Sequence, residues 1–201
     1  MWRTKQKQLK QHRRNAGRWW DFARTCGALA ILLTAPGHAA PLEEYTAKAG
    51  FIFNFLKFID WPSTAFLSES DPFQLCVVSP EDVTGSFRSL EKHTAKGRAI
   101  KVTALERVHH DSIDACNILF FTEAAEHSAE ILRRFRSDRP VLIIGETPHF
   151  ARDGGMINFV IVDNRVKFEI NIASARARHL NISSKLSSLA VEVFGEGGAG
   201  E

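Results

Sequence analysis

Apolar positions recur along this chain with two periods, and the alternation between them predicts the elements. From Leu42 to Ile59 the spacing is helical. Leu42, Tyr45, Ala49, Ile52, Leu56 and Ile59 fall on one face, Phe51, Phe55 and Phe58 on an adjacent one, and Trp61-Pro62 stops the run. The two faces together exceed the stripe of about 100° that a one-sided helix needs. This helix is therefore either buried on both sides or presents Phe51, Phe55 and Phe58 to a partner. Beyond it, short continuous apolar runs predict strands at 73–79, 98–105, 116–121 and 140–144, with helices at 80–92 and 123–136 between them. Asp153-Gly-Gly155 turns into a strand at 156–162, and Asp163-Asn164 links it to a strand at 165–171 as a hairpin. Two short helices, 172–179 and 184–194, close the chain. Ser183 is the N-cap of the second, and Ile182, Leu186, Leu189 and Val193 form its apolar stripe. The βαβ order gives an α/β fold, a three-layer sandwich whose mainly parallel central sheet ends in a C-terminal antiparallel hairpin.

Charge changes this picture only at one end. The 201 residues carry 26 Lys/Arg and 23 Asp/Glu, a net +3. Eight of the basic residues and one acidic residue lie in the first 39, a balance of +7, which leaves 18 against 22, or −4, for the remainder. The positive charge is thus not spread over a folded face, and a nucleic-acid partner is not indicated. The basic stretch leads into the apolar run Cys26–Ala35, then Pro36-Gly37 and the small-residue motif Gly37-His-Ala39, which reads as a secretory signal peptide over 1–39. A membrane span needs about 18 apolar residues or more, so a retained anchor is the lesser alternative. The expected organisation is a cleaved 1–39, one domain over 40–194 and a flexible Gly-rich tail at 195–201, in an exported protein.

Export reduces three cysteines to two, Cys76 and Cys116, each in a strand-like run. In an oxidising compartment they pair if their strands are neighbours; otherwise they are two buried thiols. No nucleotide-binding glycine motif, zinc-protease motif or nucleophile elbow occurs, so no catalytic residue, cofactor or metal is expected. His109-His110-Asp111 with Asp114 and Cys116 resembles a set of metal ligands, but it has no tetrahedral ligand spacing and reads as a loop. Arg133-Arg134-Phe-Arg136 with Arg139 reads as a solvated helix end, with a docking patch for an acidic partner as the alternative.

Two stretches resemble a known family. Lys48-Ala-Gly-Phe-Ile-Phe-Asn-Phe-Leu-Lys-Phe-Ile-Asp-Trp-Pro62 is similar to the opening signature of the YfiR-like periplasmic proteins. Gly154-Gly-Met-Ile-Asn-Phe-Val160, Val166-Lys-Phe-Glu-Ile-Asn171 and Leu180-Asn-Ile-Ser-Ser-Lys-Leu186 are similar to its closing signature. The signature positions are Lys48, Phe53, Asn54, Phe58, Trp61, Pro62, Gly154, Gly155, Asn158, Phe168, Asn171 and Leu186. The resemblance implies a regulator, not an enzyme. Its expected partner is the sensory domain of an inner-membrane diguanylate cyclase, which it would repress to restrain cyclic-di-GMP and biofilm formation. An outer-membrane peptidoglycan-binding lipoprotein would relieve that repression. It also implies a homodimer, and a disulfide between Cys76 and Cys116; a second cysteine pair known in the family is absent here. The alternative function is a small-ligand sensor feeding a membrane kinase or cyclase, since open α/β sheets offer a crevice beyond their strand ends. A thiol enzyme is a third and weaker reading, because no C-x-x-C is present.

Overall fold

The structure, a computed structural model, describes residues 39–79, 83–106, 115–125, 130–131 and 139–195. Helix α1 (Ala39–Phe58) leads directly into the two-residue strand β1 (Ile59–Asp60). Pro62 disfavours helical backbone at Trp61, which helps to end α1 here. The main sheet contains β2 (Phe73–Val78), β3 (Thr94–Ala95), β4 (Arg98–Leu105), β5 (Ile118–Phe121), β6 (Leu142–Gly145), β7 (Ile157–Val162), β8 (Arg165–Asn171) and β10 (Glu192–Phe194). Its spatial order is β10-β8-β7-β6-β5-β2-β4-β3. The pairs β2–β4, β2–β5, β5–β6, β6–β7 and β8–β10 are parallel; β7–β8 and β3–β4 are antiparallel. The expected α/β fold, with its mostly parallel sheet and terminal hairpin, is what the chain forms.

Strand β9 (Asn181–Ile182) pairs antiparallel with β1, register Ile59↔Ile182. Neither strand was expected, and together they pin the end of α1 to the C-terminal part of the chain. Helix α2 (Ile172–Arg176) and helix α3 (Ser184–Ser187) flank β9. Ser183 caps α3, its Oγ accepting from the Leu186 N–H. The expected long helix 184–194 is shorter than that, because residues 192–194 extend the sheet beside β8 instead. Leu186 of its supposed stripe is buried, but Leu189 is exposed. The helix expected at 80–92 is, where described, two 3₁₀ turns at Thr84–Ser86 and Arg88–Lys92. Gly85 and Ser86 are weak α-helix formers, consistent with that outcome. Most of the expected helix 123–136 lies outside the described residues, as do nearly all of 1–39 and 195–201, His109, His110, Asp111, Asp114 and Arg133–Arg136.

Strand alternation divides the core between two faces of the sheet. On one, Phe55 of α1 packs against Phe159 and Phe168 at 5.8 and 5.1 Å between ring centres, and Phe120 meets Tyr45. On the other, Phe121 meets Phe150, which lies between two glycines. A Cβ on Gly145 would sit 2.5 Å from the Phe150 ring, and one on Gly155 would sit 2.3 Å from it. The hairpin turn Asp163-Asn164 has both residues at positive φ, 50° and 57°, the geometry that suits a two-residue connection.

These contacts set opposite expectations for two glycines. Gly155→Ala must displace the Phe150 ring and lowers unfolding free energy by about 2–3 kcal/mol in urea titrations. Gly50→Ala, in α1 with open space around it, raises it by about 0.5–1 kcal/mol.

Candidate functional site

The first half of α1 sets a charged cluster against the C-terminal ends of β5 and β6, where open α/β sheets commonly place their sites. Lys48, only 3% exposed, turns inward and pairs with Glu44 one turn earlier and with Glu146, the residue after β6. The Glu146 side chain is 5% exposed. Its Oε1 accepts from the Tyr45 hydroxyl at 2.9 Å and from the Glu123 N–H at 2.7 Å, while Oε2 accepts from the Lys48 ammonium. The same ammonium lies 4.8 Å from the Tyr45 ring centre. Each Glu146 oxygen therefore has a donor, which is the condition under which a buried ion pair is tolerated.

This cluster forms one wall of a cleft of about 230 Å³, whose other walls are Thr147-Pro148 and Asn158–Ile161 of β7. A second groove of about 410 Å³ shares Glu44 and Ile161 and runs between Glu43, Ala47 and Phe51 of α1 and the hairpin residues Asn164–Val166. Asn158 is 2% exposed; its Nδ2 donates to Glu169 Oε2 at 3.0 Å, but its Oδ1 has no donor. Lys48 and Asn158 thus come together around one cleft. Glu146, Glu44 and Glu123 were not singled out from the sequence. The available signal was the position of Glu146, a charge at the end of a central parallel strand.

The remaining signature residues are spread over the framework. Phe168 is buried against Phe51 and Phe55. Asn171 caps α2, accepting from the Ser174 N–H and donating to Ala151 O. Trp61 meets Phe73 edge to face at 5.1 Å, and Pro62 precedes a 3₁₀ turn at Ser63–Ala65. The Lys185 ammonium lies over the half-buried Phe58 ring, and Leu186 is buried in the core. Gly155 is buried beside Phe150, whereas Gly154, at φ +110°, is exposed. Phe53 packs on His93 under the Lys57 ammonium, and Asn54 is exposed.

The Phe51–Phe55–Phe58 face needs a correction as an interface. Phe55 is wholly buried and Phe51 is half-buried against Phe159 and Phe168, because the sheet beneath α1 is broad enough to cover both apolar faces. On the opposite face of the sheet from α1, Cys76 of β2 and Cys116, just before β5, form a disulfide with Cα atoms 5.9 Å apart. In the β2–β5 register Cys76 stands opposite Leu119, so it is the segment entering β5 that brings Cys116 within bonding range. Among the described residues no group of three His, Cys, Asp or Glu side chains is placed to hold a metal ion. No helix among them is long and apolar enough to cross a membrane.

The sequence profile of the YfiR/HmsC-like family matches residues 45–191. A search of curated proteins finds no match.

The disulfide closes a separation of 40 residues, so Cys76→Ser lowers stability by about 4 kcal/mol in oxidising buffer. In reductant the difference nearly vanishes; equal melting of the two proteins without reductant would contradict the bond. Lys48→Met leaves the Glu146 carboxylate buried without its cation and costs about 3 kcal/mol by chemical denaturation. Glu44→Gln, at a partly exposed carboxylate, costs less than about 1 kcal/mol.

Proposed function

Because the chain belongs to the YfiR/HmsC-like family, whose members are periplasmic regulators of diguanylate cyclase, we propose that it represses an inner-membrane diguanylate cyclase from the periplasmic side. The observation that carries this reading is the family match, which spans α1 through β9 and α3. The protein acts in this reading by binding, engaging the sensory domain of the cyclase and thereby limiting cyclic-di-GMP and biofilm formation. An outer-membrane peptidoglycan-binding lipoprotein is the expected competitor for it, and a homodimer the expected working state. In this reading residues 1–39 serve as the export signal that carries it to the compartment this role requires.

The charged cluster supports a binding role over a chemical one. Lys48 is held between two carboxylates, and the hydroxyl of Tyr45 is committed to Glu146. Neither group is poised as a nucleophile or a proton shuttle. The two clefts are half-open grooves beside α1 and the β7–β8 hairpin, a shape that supports docking of a protein segment.

Deletion of the gene raises cellular cyclic-di-GMP several-fold, and expression of the exported protein in trans restores the original level. An unchanged level in the deletion strain, measured by mass spectrometry of nucleotide extracts, would overturn the proposal.

A further inference from the structure

Strand β7 outruns the strand beside it. Strand β6 pairs with it only at Ile144↔Ile157 and Gly145↔Asn158, while β7 continues to Val162, paired with β8 throughout. From Phe159 onward the backbone edge of β7 opposite β8 has no strand partner among the described residues. Phe159, Val160 and Ile161 line the cleft. The edge reads Phe-Val-Ile-Val, with Ile161 53% and Val162 40% exposed. Native sheets usually blunt such an edge with Lys, Pro or a bulge, and the sequence of this one contains neither Lys nor Pro.

The surroundings of this edge select the kind of segment that would pair with it. Glu43, Glu44, Glu123 and Glu146 line the two grooves, against Lys48 and Arg165. Lys48 and Glu146 are already paired with each other, so the surplus on the rim is acidic. A second copy of this chain would set that acidic rim against its own counterpart. A cationic segment matches it.

Resting on the reading of this protein as a partner-binding regulator, we infer that the open edge of β7 is a strand-docking site. An extended, Lys- or Arg-bearing segment of the partner protein pairs its backbone with Phe159–Val162 and sets its cationic side chains against Glu43, Glu44 and Glu123. Strand addition of this kind draws affinity from main-chain hydrogen bonds and selectivity from the flanking side chains. The rim charges add steering that weakens with salt.

The test uses the full chain and three fluorescent hexapeptides, read by anisotropy: alternating Val-Lys, alternating Val-Glu, and Val-Lys with every second amide N-methylated. The expected result is binding of the Val-Lys peptide alone, weakened tenfold or more by N-methylation and by the double substitution Glu43→Lys/Glu123→Lys. Both of these carboxylates are exposed, and circular dichroism confirms that the double variant is folded. In the deletion strain the same variant, exported at wild-type level, fails to lower cyclic-di-GMP. The docking site is overturned if Val-Lys does not bind, if N-methylation or the double substitution leaves binding unchanged, or if the variant represses fully. Equal affinity for free spermidine would assign the cleft to a small cation, and self-association that competes with Val-Lys would assign it to a second copy; either overturns it. If deletion itself leaves cyclic-di-GMP unchanged, the repressor reading fails, and the peptide arm still decides whether the edge takes a strand.

Discussion

Glu146 is where three separate stretches of chain meet, and the placement of α1 depends on it. Its carboxylate takes donors from Tyr45 and Lys48 of α1 and from the backbone that follows β5, while its own position is fixed by the end of β6. Removing an ammonium and a carboxylate from water costs several kcal/mol per ion, and an imperfect geometry would not offset it. This ties α1 to one register on the sheet. In that register Phe55 lies over Phe159 and Phe168, Phe51 reaches the same two rings, and Ile52 and Leu56 are fully buried. The far end of α1 is held independently, through β1 on β9 and the Ser183 N–H donating to Phe58 O.

A helix fixed at both ends has a functional consequence. Its second half is covered by the sheet and the C-terminal segment, but its first half flanks the β7–β8 hairpin across open grooves. The disulfide lies on the opposite face of the sheet and crosslinks β2 to the segment entering β5. It braces the centre of the sheet without touching the groove. In the proposed reading, stability and recognition thus fall on different faces of the sheet.

The central strands were legible because each is a continuous apolar run buried on both faces. The cysteine pair was one of two readings of the residues, and the family resemblance implied it. What escaped was non-local. Ile182, Leu186, Leu189 and Val193 fit a helical stripe, yet residues 192–194 join β8 as a strand, a choice made by an edge more than 20 residues away in sequence. The Phe face of α1 read as core with an interface as the alternative, since only the breadth of the sheet decides it. Glu146 was invisible as a site residue, because a Glu after a strand reads as exposed until Lys48 and Tyr45 are seen to converge on it. The family signatures, by contrast, were legible along nearly the whole domain, and the matched span 45–191 agrees with them.

In the proposed role this protein regulates by occupying a membrane cyclase. The most direct measurement titrates the purified 40–194 domain onto the periplasmic face of membranes containing the cyclase and follows conversion of GTP to cyclic-di-GMP. The expected result is saturable inhibition that reaches a plateau as the sensory domain fills. A rate independent of added domain, with the domain shown to be folded and disulfide-bonded, would contradict it.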